Sequence, residues 1–192
     1  MTGSRDTPSA WVRQYATGIA AGGSILDVAC GSGRHSYYFS ERGYHVTAVD
    51  RDVGRLHSPD RDTVEHAHPL EIITADLETE PWPFTDRVFD GIVVTDYLHR
   101  PHFPLLAAAL APGGMLLFDT FAAGNQRFGR PRNPAFLLQP GELLDAFSAT
   151  LQIVAYEHGE VATPRPAIRQ RLCAIKSGPA LATAGPVSLA PG

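Results

Sequence analysis

Two short stretches hold the residue types that could do chemistry. The first is Ile25-Leu26-Asp27-Val28-Ala29-Cys30-Gly31-Ser32-Gly33, an apolar run ending in a glycine turn. The second, Thr47-Ala48-Val49-Asp50, is an apolar run ending in an acid. Glycines at 31 and 33 let a backbone approach a bound molecule where a Cβ would intrude. An acid at the tip of the next strand can accept hydrogen bonds from two ribose hydroxyls. Together they describe a nucleoside-binding crevice, with the identity of the nucleoside cofactor left open.

The elements that must place these residues alternate between strand and helix. Residues 9–22 carry Trp11, Val12, Tyr15, Ile19 and Ala20 at spacings of three and four, which predicts a short amphipathic helix. Strands are expected over 24–29, 45–50, 70–75, 88–95 and 115–121, and helices over 34–41, 102–110 and 141–147. Gly43 ends the second helix, and Pro112-Gly113-Gly114 turns the chain into the fifth strand. The run 88–95 is almost continuously apolar, as a central parallel strand should be. Two last strands, 151–157 and 167–176, share a short polar link and should pair as an antiparallel hairpin. The expectation is a Rossmann-like α/β fold: a mostly parallel seven-stranded sheet, helices on both faces, and that hairpin at one edge. Residues 1–177 form one domain and 178–192, small and proline-rich without periodicity, read as a disordered tail. Residues 52–69 read as a partly irregular crossover. Their histidines His57, His66 and His68 have no acid or cysteine spaced to complete a metal site.

Composition narrows the class. A chain of 192 residues can bury roughly 70% of its unfolded surface in one domain. The net charge of −4 and the absence of a basic stripe argue against nucleic acid or an anionic membrane as partner. No apolar run reaches the ~18 residues of a membrane span, and no signal peptide is visible, so the cytoplasm is the expected compartment. Cys30 and Cys173 have no metal-ligand spacing and suggest no disulfide framework. Lys176 is the only lysine, so the cationic chemistry belongs to arginine, which favours planar contacts to oxyanions.

Several features separate the possible nucleosides. The third glycine of a dinucleotide fingerprint would fall at Ser36, where it is absent. Asp76-Leu77 follows the third strand, where an acid can accept from an adenine amino group while backbone contacts the ring. Phe89-Asp90-Gly91-Ile92-Val93-Val94 leads to the polar cluster Thr95-Asp96-Tyr97, and Leu110-Ala111-Pro112-Gly113-Gly114-Met115-Leu116-Leu117 opens the fifth strand. With these motifs in this order, residues 9–176 resemble the class I S-adenosylmethionine-dependent methyltransferases. Within them the chain looks most like bacterial proteins grouped with the tellurite-resistance methyltransferases. Tyr97-Leu98-His99-Arg100-Pro101, Gly124 to Pro131, and Asn133 to Leu144 carry that second resemblance.

The resemblance implies S-adenosyl-L-methionine as cofactor and a cofactor-binding set of Asp27, Ala29, Gly31, Gly33, Asp50, Arg51, Asp76, Leu77 and Thr95. In it Asp27 helps anchor the methionine amino group, directly or through water. Ala29 departs from the family pattern, which has glycine two residues after its acid. The implied activity is methyl transfer to a small-molecule acceptor, since the compact core carries no added substrate domain. The alternatives are a non-catalytic S-adenosylmethionine-binding regulator or subunit and, from the G-x-G turn alone, an NAD-dependent oxidoreductase. Tyr97 and His99 are candidate catalytic groups, with His99 either a general base or a cap on the loop before Pro101. Arg100, Arg127, Arg130 and Arg132 are candidates for binding an acidic acceptor, or else members of a solvated loop.

Overall fold

The computed structural model describes residues 7–56 and 70–178. The expected disordered tail, apart from its first residue, and the three histidines of the crossover lie outside those residues. Seven strands make one sheet. β1 (Ser24–Val28), β2 (His45–Asp50), β3 (Leu70–Thr74), β4 (Phe89–Thr95) and β5 (Leu110–Phe121) run parallel. β6 (Gln152–Val161) and β7 (Ala167–Ile175) form the antiparallel hairpin, and β7 also pairs antiparallel with β5. The order is β3-β2-β1-β4-β5-β7-β6. The chain leaves β1 toward one edge and, after β3, crosses to β4 on the other side of β1. That reversal opens a crevice at the carboxyl ends of the strands.

Side chains alternate across the sheet, so each strand feeds two cores. Leu26, Val28, Ile92, Val94, Leu116 and Phe118 face one side. There α3 (Phe103–Ala108) and α4 (Glu142–Phe147) cover them through Leu106, Leu143 and Phe147. Ile25, Val46, Val93 and Leu117 face the other side. Trp11 and Val12 of α1 (Ala10–Tyr15) and Phe39 of α2 (Arg34–Ser40) cover these. Each side chain so buried contributes ~1.5–3 kcal/mol. The free cysteines are buried, Cys173 in the second of these packings and Cys30 in a small cluster with Ala48 and Leu56, and behave as small apolar groups. No helix among the described residues is long and apolar enough to cross a membrane.

Three boundaries differ from expectation. The first helix is six residues, ending in a 3-10 turn at Ala16–Gly18, because Gly18 precedes a chain reversal into β1. β5 begins at Leu110, which pairs with Phe89, and the Pro112-Gly113-Gly114 turn is a bulge inside it before Met115 pairs with Gly91. β6 continues to Val161, where it pairs with Ala167. His158, Gly159 and Glu160 there are exposed, so hydrophobic alternation gives no sign of them and pairing with β7 holds them in register.

Candidate active site

A cavity of about 850 Å³ opens at the carboxyl ends of β1, β2, β4 and β5, beside the segment that follows β3. Ala29, Asp50, Arg51, Ala75, Asp76 and Leu77 line one part, and Thr95, Asp96, Tyr97 and Leu98 line the middle. Thr120, Phe121, Arg130, Arg132, Asn133, Phe136 and Arg165 line the far part. Its volume lies toward the upper end of the ~300–1,000 Å³ usual for small-molecule sites, room for a nucleoside cofactor and a second small molecule.

The β1–α2 turn shapes the first part. Ala29 has φ 52°, Gly31 58° and Gly33 76°, so three residues of the turn are left-handed. Alanine tolerates that backbone at a cost of ~1–2 kcal/mol, and it occupies the place where the family pattern has glycine. Gly31 has open space where a Cβ would stand, in keeping with close approach by a ligand. Gly33 does not, since a Cβ there would meet Leu56 and Tyr37 at 3.0 Å. Neither glycine is on the cavity wall proper, and Gly33 serves helix packing. Asp50 accepts from the Gly31 amide at 2.8 Å and, through its other oxygen, from the Asp52 amide at 2.9 Å. Each oxygen keeps a lone pair for a ligand hydroxyl. Asp76 is held likewise by the Glu78 amide at 3.1 Å.

Asp27 lies beneath the turn, 1% exposed and off the cavity wall. Its Oδ2 accepts from the Ser36 hydroxyl at 2.6 Å, while Oδ1 is buried without a partner among the described residues. Burial raises its carboxyl to a pKa of about 6, against the Ser36 hydrogen bonds that lower it. A buried carboxylate oxygen with no donor fits a ligand ammonium or a bridging water. Ser36 thus has work of its own at the position where a dinucleotide fingerprint would have glycine.

Past β4, Asp96 takes a left-handed backbone, φ 55°, and its carboxylate lies between Arg34 at 3.0 Å and Arg169 at 2.7 Å. Arg169 also donates to the buried Asp119, which accepts from Arg171 and from the Ser9 hydroxyl as well. Burial works against the charge on Asp119, but Arg169 and Arg171 outweigh it and hold its carboxyl below the usual range. Beside this chain of charges, His35 accepts from the Ser9 amide at its Nε2, 3.0 Å away. The ring is therefore neutral with its proton on Nδ1, facing Thr95 Oγ1 at 3.3 Å. Burial, helped by Arg34, depresses His35 to about 3, so it stays neutral. Burial pushes the Tyr97 phenol well above its usual range, with Glu78, Asp76 and Asp50 adding to it, so its hydroxyl remains a donor. That hydroxyl has no partner among the described residues.

The comparisons with known proteins agree with this geometry. A family model described as "Methyltransferase domain" matches residues 25–114. A malonyl-[acyl-carrier protein] O-methyltransferase of Serratia marcescens is 35% identical over 113 residues, which cover 54% of this chain and 40% of that protein. A putative methyltransferase of Bacillus subtilis, YqeM, is 30% identical over 122 residues, covering 59% and 48%. The match thus spans less than half the length of either relative. Among solved structures, TehB from Haemophilus influenzae superposes with a TM-score of 0.68 at 20% identity, covering 87% of this chain and 61% of that one. Magnesium protoporphyrin IX methyltransferase from Synechocystis PCC 6803, with bound S-adenosylhomocysteine, gives 0.66 at 18% identity, covering 87% and 80%. Residues 25–114 match the methyltransferase-domain family, and the fold is the one shared by these methyltransferase structures.

Within this fold the expected site residues separate into those on the cavity and those off it. Ala29, Asp50, Arg51, Asp76, Leu77, Thr95, Tyr97, Arg130 and Arg132 meet on one cavity. His99, Arg100 and Arg127 do not line it, and neither do Asp27, Gly31 and Gly33. His99 precedes a 3-10 turn and packs against His102, ring centroids 4.4 Å apart. Arg100 makes a bidentate pair with Glu142 and donates to the carbonyls of Ala135 and Leu137, which ties down the loop before α4. Arg127 pairs with Glu160 at 2.6 Å on the exposed surface. Sequence reasoning missed Arg165, Phe121, Phe136 and the Asp119–Arg169 pair. One signal was present: Asp119 is the only charge in Met115-Leu116-Leu117-Phe118-Asp119-Thr120-Phe121, and a buried charge needs a partner.

Proposed function

We propose that the protein binds S-adenosyl-L-methionine at the β1, β2 and β3 tips and transfers its methyl group to a small-molecule acceptor, releasing S-adenosylhomocysteine. The observation that carries this is Asp50, oriented by the Gly31 and Asp52 amides on the wall of the cavity. Asp50 would hold the ribose, Asp76 the adenine amino group, and Asp27 the methionine ammonium through its unpartnered Oδ1. When bound, the sulfonium supplies an activated methyl: the acceptor's lone pair forms the new bond as the carbon–sulfur pair leaves with sulfur. The chain's own task is to align the acceptor and exclude water. Thr95, fixed by neutral His35, and Tyr97, a buried donor, stand where the two ligands would meet. His99, packed on His102, would reach a reacting atom only after the turn moved.

The fold alone does not assign the reaction, since a structure of similar fold, TM-score 0.62 at 14% identity, is that of the [4+2]-cyclase SpnF. A non-catalytic S-adenosylmethionine-binding protein is therefore the second reading, and turnover separates the two. Calorimetry should show S-adenosylhomocysteine binding and no binding of NAD. Asp50→Ala should weaken S-adenosylhomocysteine by ~1.5–3 kcal/mol with the fold retained. NAD binding, or an unchanged Kd in a folded Asp50→Ala variant, defeats the site assignment. Release of S-adenosylhomocysteine with a cell extract of small molecules, and none without it, marks an enzyme.

A further inference from the structure

Two sets of arginines in this chain contrast with each other. Arg34, Arg42, Arg87, Arg100, Arg127, Arg169 and Arg171 each lie within 4.0 Å of a carboxylate. Among the described residues, Arg13, Arg51, Arg55, Arg130, Arg132 and Arg165 have no ion pair; Arg51 lines the cavity beside Asp50, and the last three line its far part. They come from separate segments: Arg130 and Arg132 from the loop between β5 and α4, Arg165 from the β6–β7 connection. All three are exposed, and three unpaired positive charges on one wall make it attractive to an anion. The same wall presents aromatic surface. Phe136 is 47% exposed, unusual for so large an apolar side chain, and Phe121 forms the floor beneath the Arg165 guanidinium, 5.8 Å from its ring centroid. Arg100 fixes the Phe136 turn by donating to the carbonyls on either side of it, so the aromatic face is held in place without a ligand.

Resting on the methyltransferase reading for the rest of the cavity, we propose that its acceptor is a planar, unsaturated or aromatic carboxylate. Arg130, Arg132 and Arg165 hold the carboxylate, whose two oxygens match the planar fork of a guanidinium. Phe121 and Phe136 contact the flat apolar body. Of the acids of the cavity, Asp50, Asp76 and Glu78 stand at the nucleoside end, and Asp96 in the middle is already paired with Arg34 and Arg169. A cationic acceptor would meet three like charges at the far end, and a simple inorganic oxyanion would leave Phe136 uncovered.

The test titrates the full chain with benzoate, 4-hydroxybenzoate and 2-naphthoate, each beside its neutral amide, and with inorganic phosphate. It is run on the free protein and again with S-adenosylhomocysteine present. The acids should bind about tenfold or more tighter than their amides, and the triple substitution Arg130→Gln, Arg132→Gln, Arg165→Gln should abolish that preference. Phe136→Ala should weaken acid and amide alike by several-fold. Arg127→Gln, whose guanidinium is already paired outside the cavity, should keep the preference. No acid-over-amide preference overturns the proposal, and so does a preference that survives the triple substitution. Phosphate competing as well as the aryl acids would show a site for charge alone and overturn the planar body. Silence toward S-adenosylhomocysteine with the acid preference intact defeats the methyltransferase reading and leaves the anion site standing. Binding of S-adenosylhomocysteine without acid preference does the reverse.

Discussion

The two ends of the cavity are built by different means. At the nucleoside end, Ala29, Asp50 and Asp76 stand at or just past the tips of parallel strands whose register is set by backbone pairing. Each acid is oriented by amides a few residues away or across one strand, so the end is acidic and rigid by local geometry. At the far end, Arg130, Arg132, Phe136 and Arg165 hang on connections outside the sheet, and one distant pair, Arg100–Glu142, steadies the longer of them. Between the two lies the Arg34–Asp96–Arg169–Asp119 chain, which ties the β4 tip to β5 and β7. A rigid acidic end suits an invariant cofactor, whereas a wall carried on loops can change its acceptor without disturbing the sheet.

The largest expected effect comes from cutting the part that joins the two ends. Arg169→Gln leaves the buried Asp119 with only Arg171 and Ser9 and frees Asp96 from one side. Stability should fall by ~3 kcal/mol, measured by urea unfolding, because a buried carboxylate loses its main partner. A loss under 1 kcal/mol would show the two ends to be independent.

A second test acts on the nucleoside end through pH. The folded pKa of Asp27 is raised to about 6 from an ordinary 3.8. The folded state therefore holds the proton more tightly than the unfolded chain between those values. Its contribution to stability is fully present below pH ~4 and is lost as pH rises through ~6, at most ~3 kcal/mol in all. Asp27→Asn should remove that part of the pH dependence. S-adenosylhomocysteine should follow the opposite course, binding more tightly above pH 6 as the carboxylate ionises to meet the ammonium. If wild type and Asp27→Asn share one pH profile for both readouts, Asp27 does not act at the cofactor.

The smallest effect belongs to Arg127. Its pair with Glu160 is exposed on both sides, 59% and 56%, so Arg127→Gln should change stability by less than ~0.5 kcal/mol. Its S-adenosylhomocysteine affinity should match wild type by calorimetry. A larger change would extend the far wall beyond the residues that line it here.

Much of the nucleoside end was legible because its cause is local. Strand one, its glycine turn and Asp50 lie within one β-α-β unit, and the spacing of such a unit is fixed by backbone geometry. The parallel sheet and the C-terminal hairpin followed from apolar patterning and link length, and the topology bears them out. What the sequence by itself determined was the sheet, the crevice at its switch point and the acids that reach it. The tertiary structure decided which arginines are spent and which are free. Arg127 and Arg130 are alike as neighbours in one loop, yet one finds Glu160 across the surface and the other faces the cavity. Arg165 joins the cavity wall only because β6 continues to Val161 and carries the hairpin's turn there. Such pairings join residues far apart in the chain, 33 positions from Arg127 to Glu160 and 73 from Asp96 to Arg169. No local spacing encodes them, because the side chains meet only after the sheet has set the distance between their backbones.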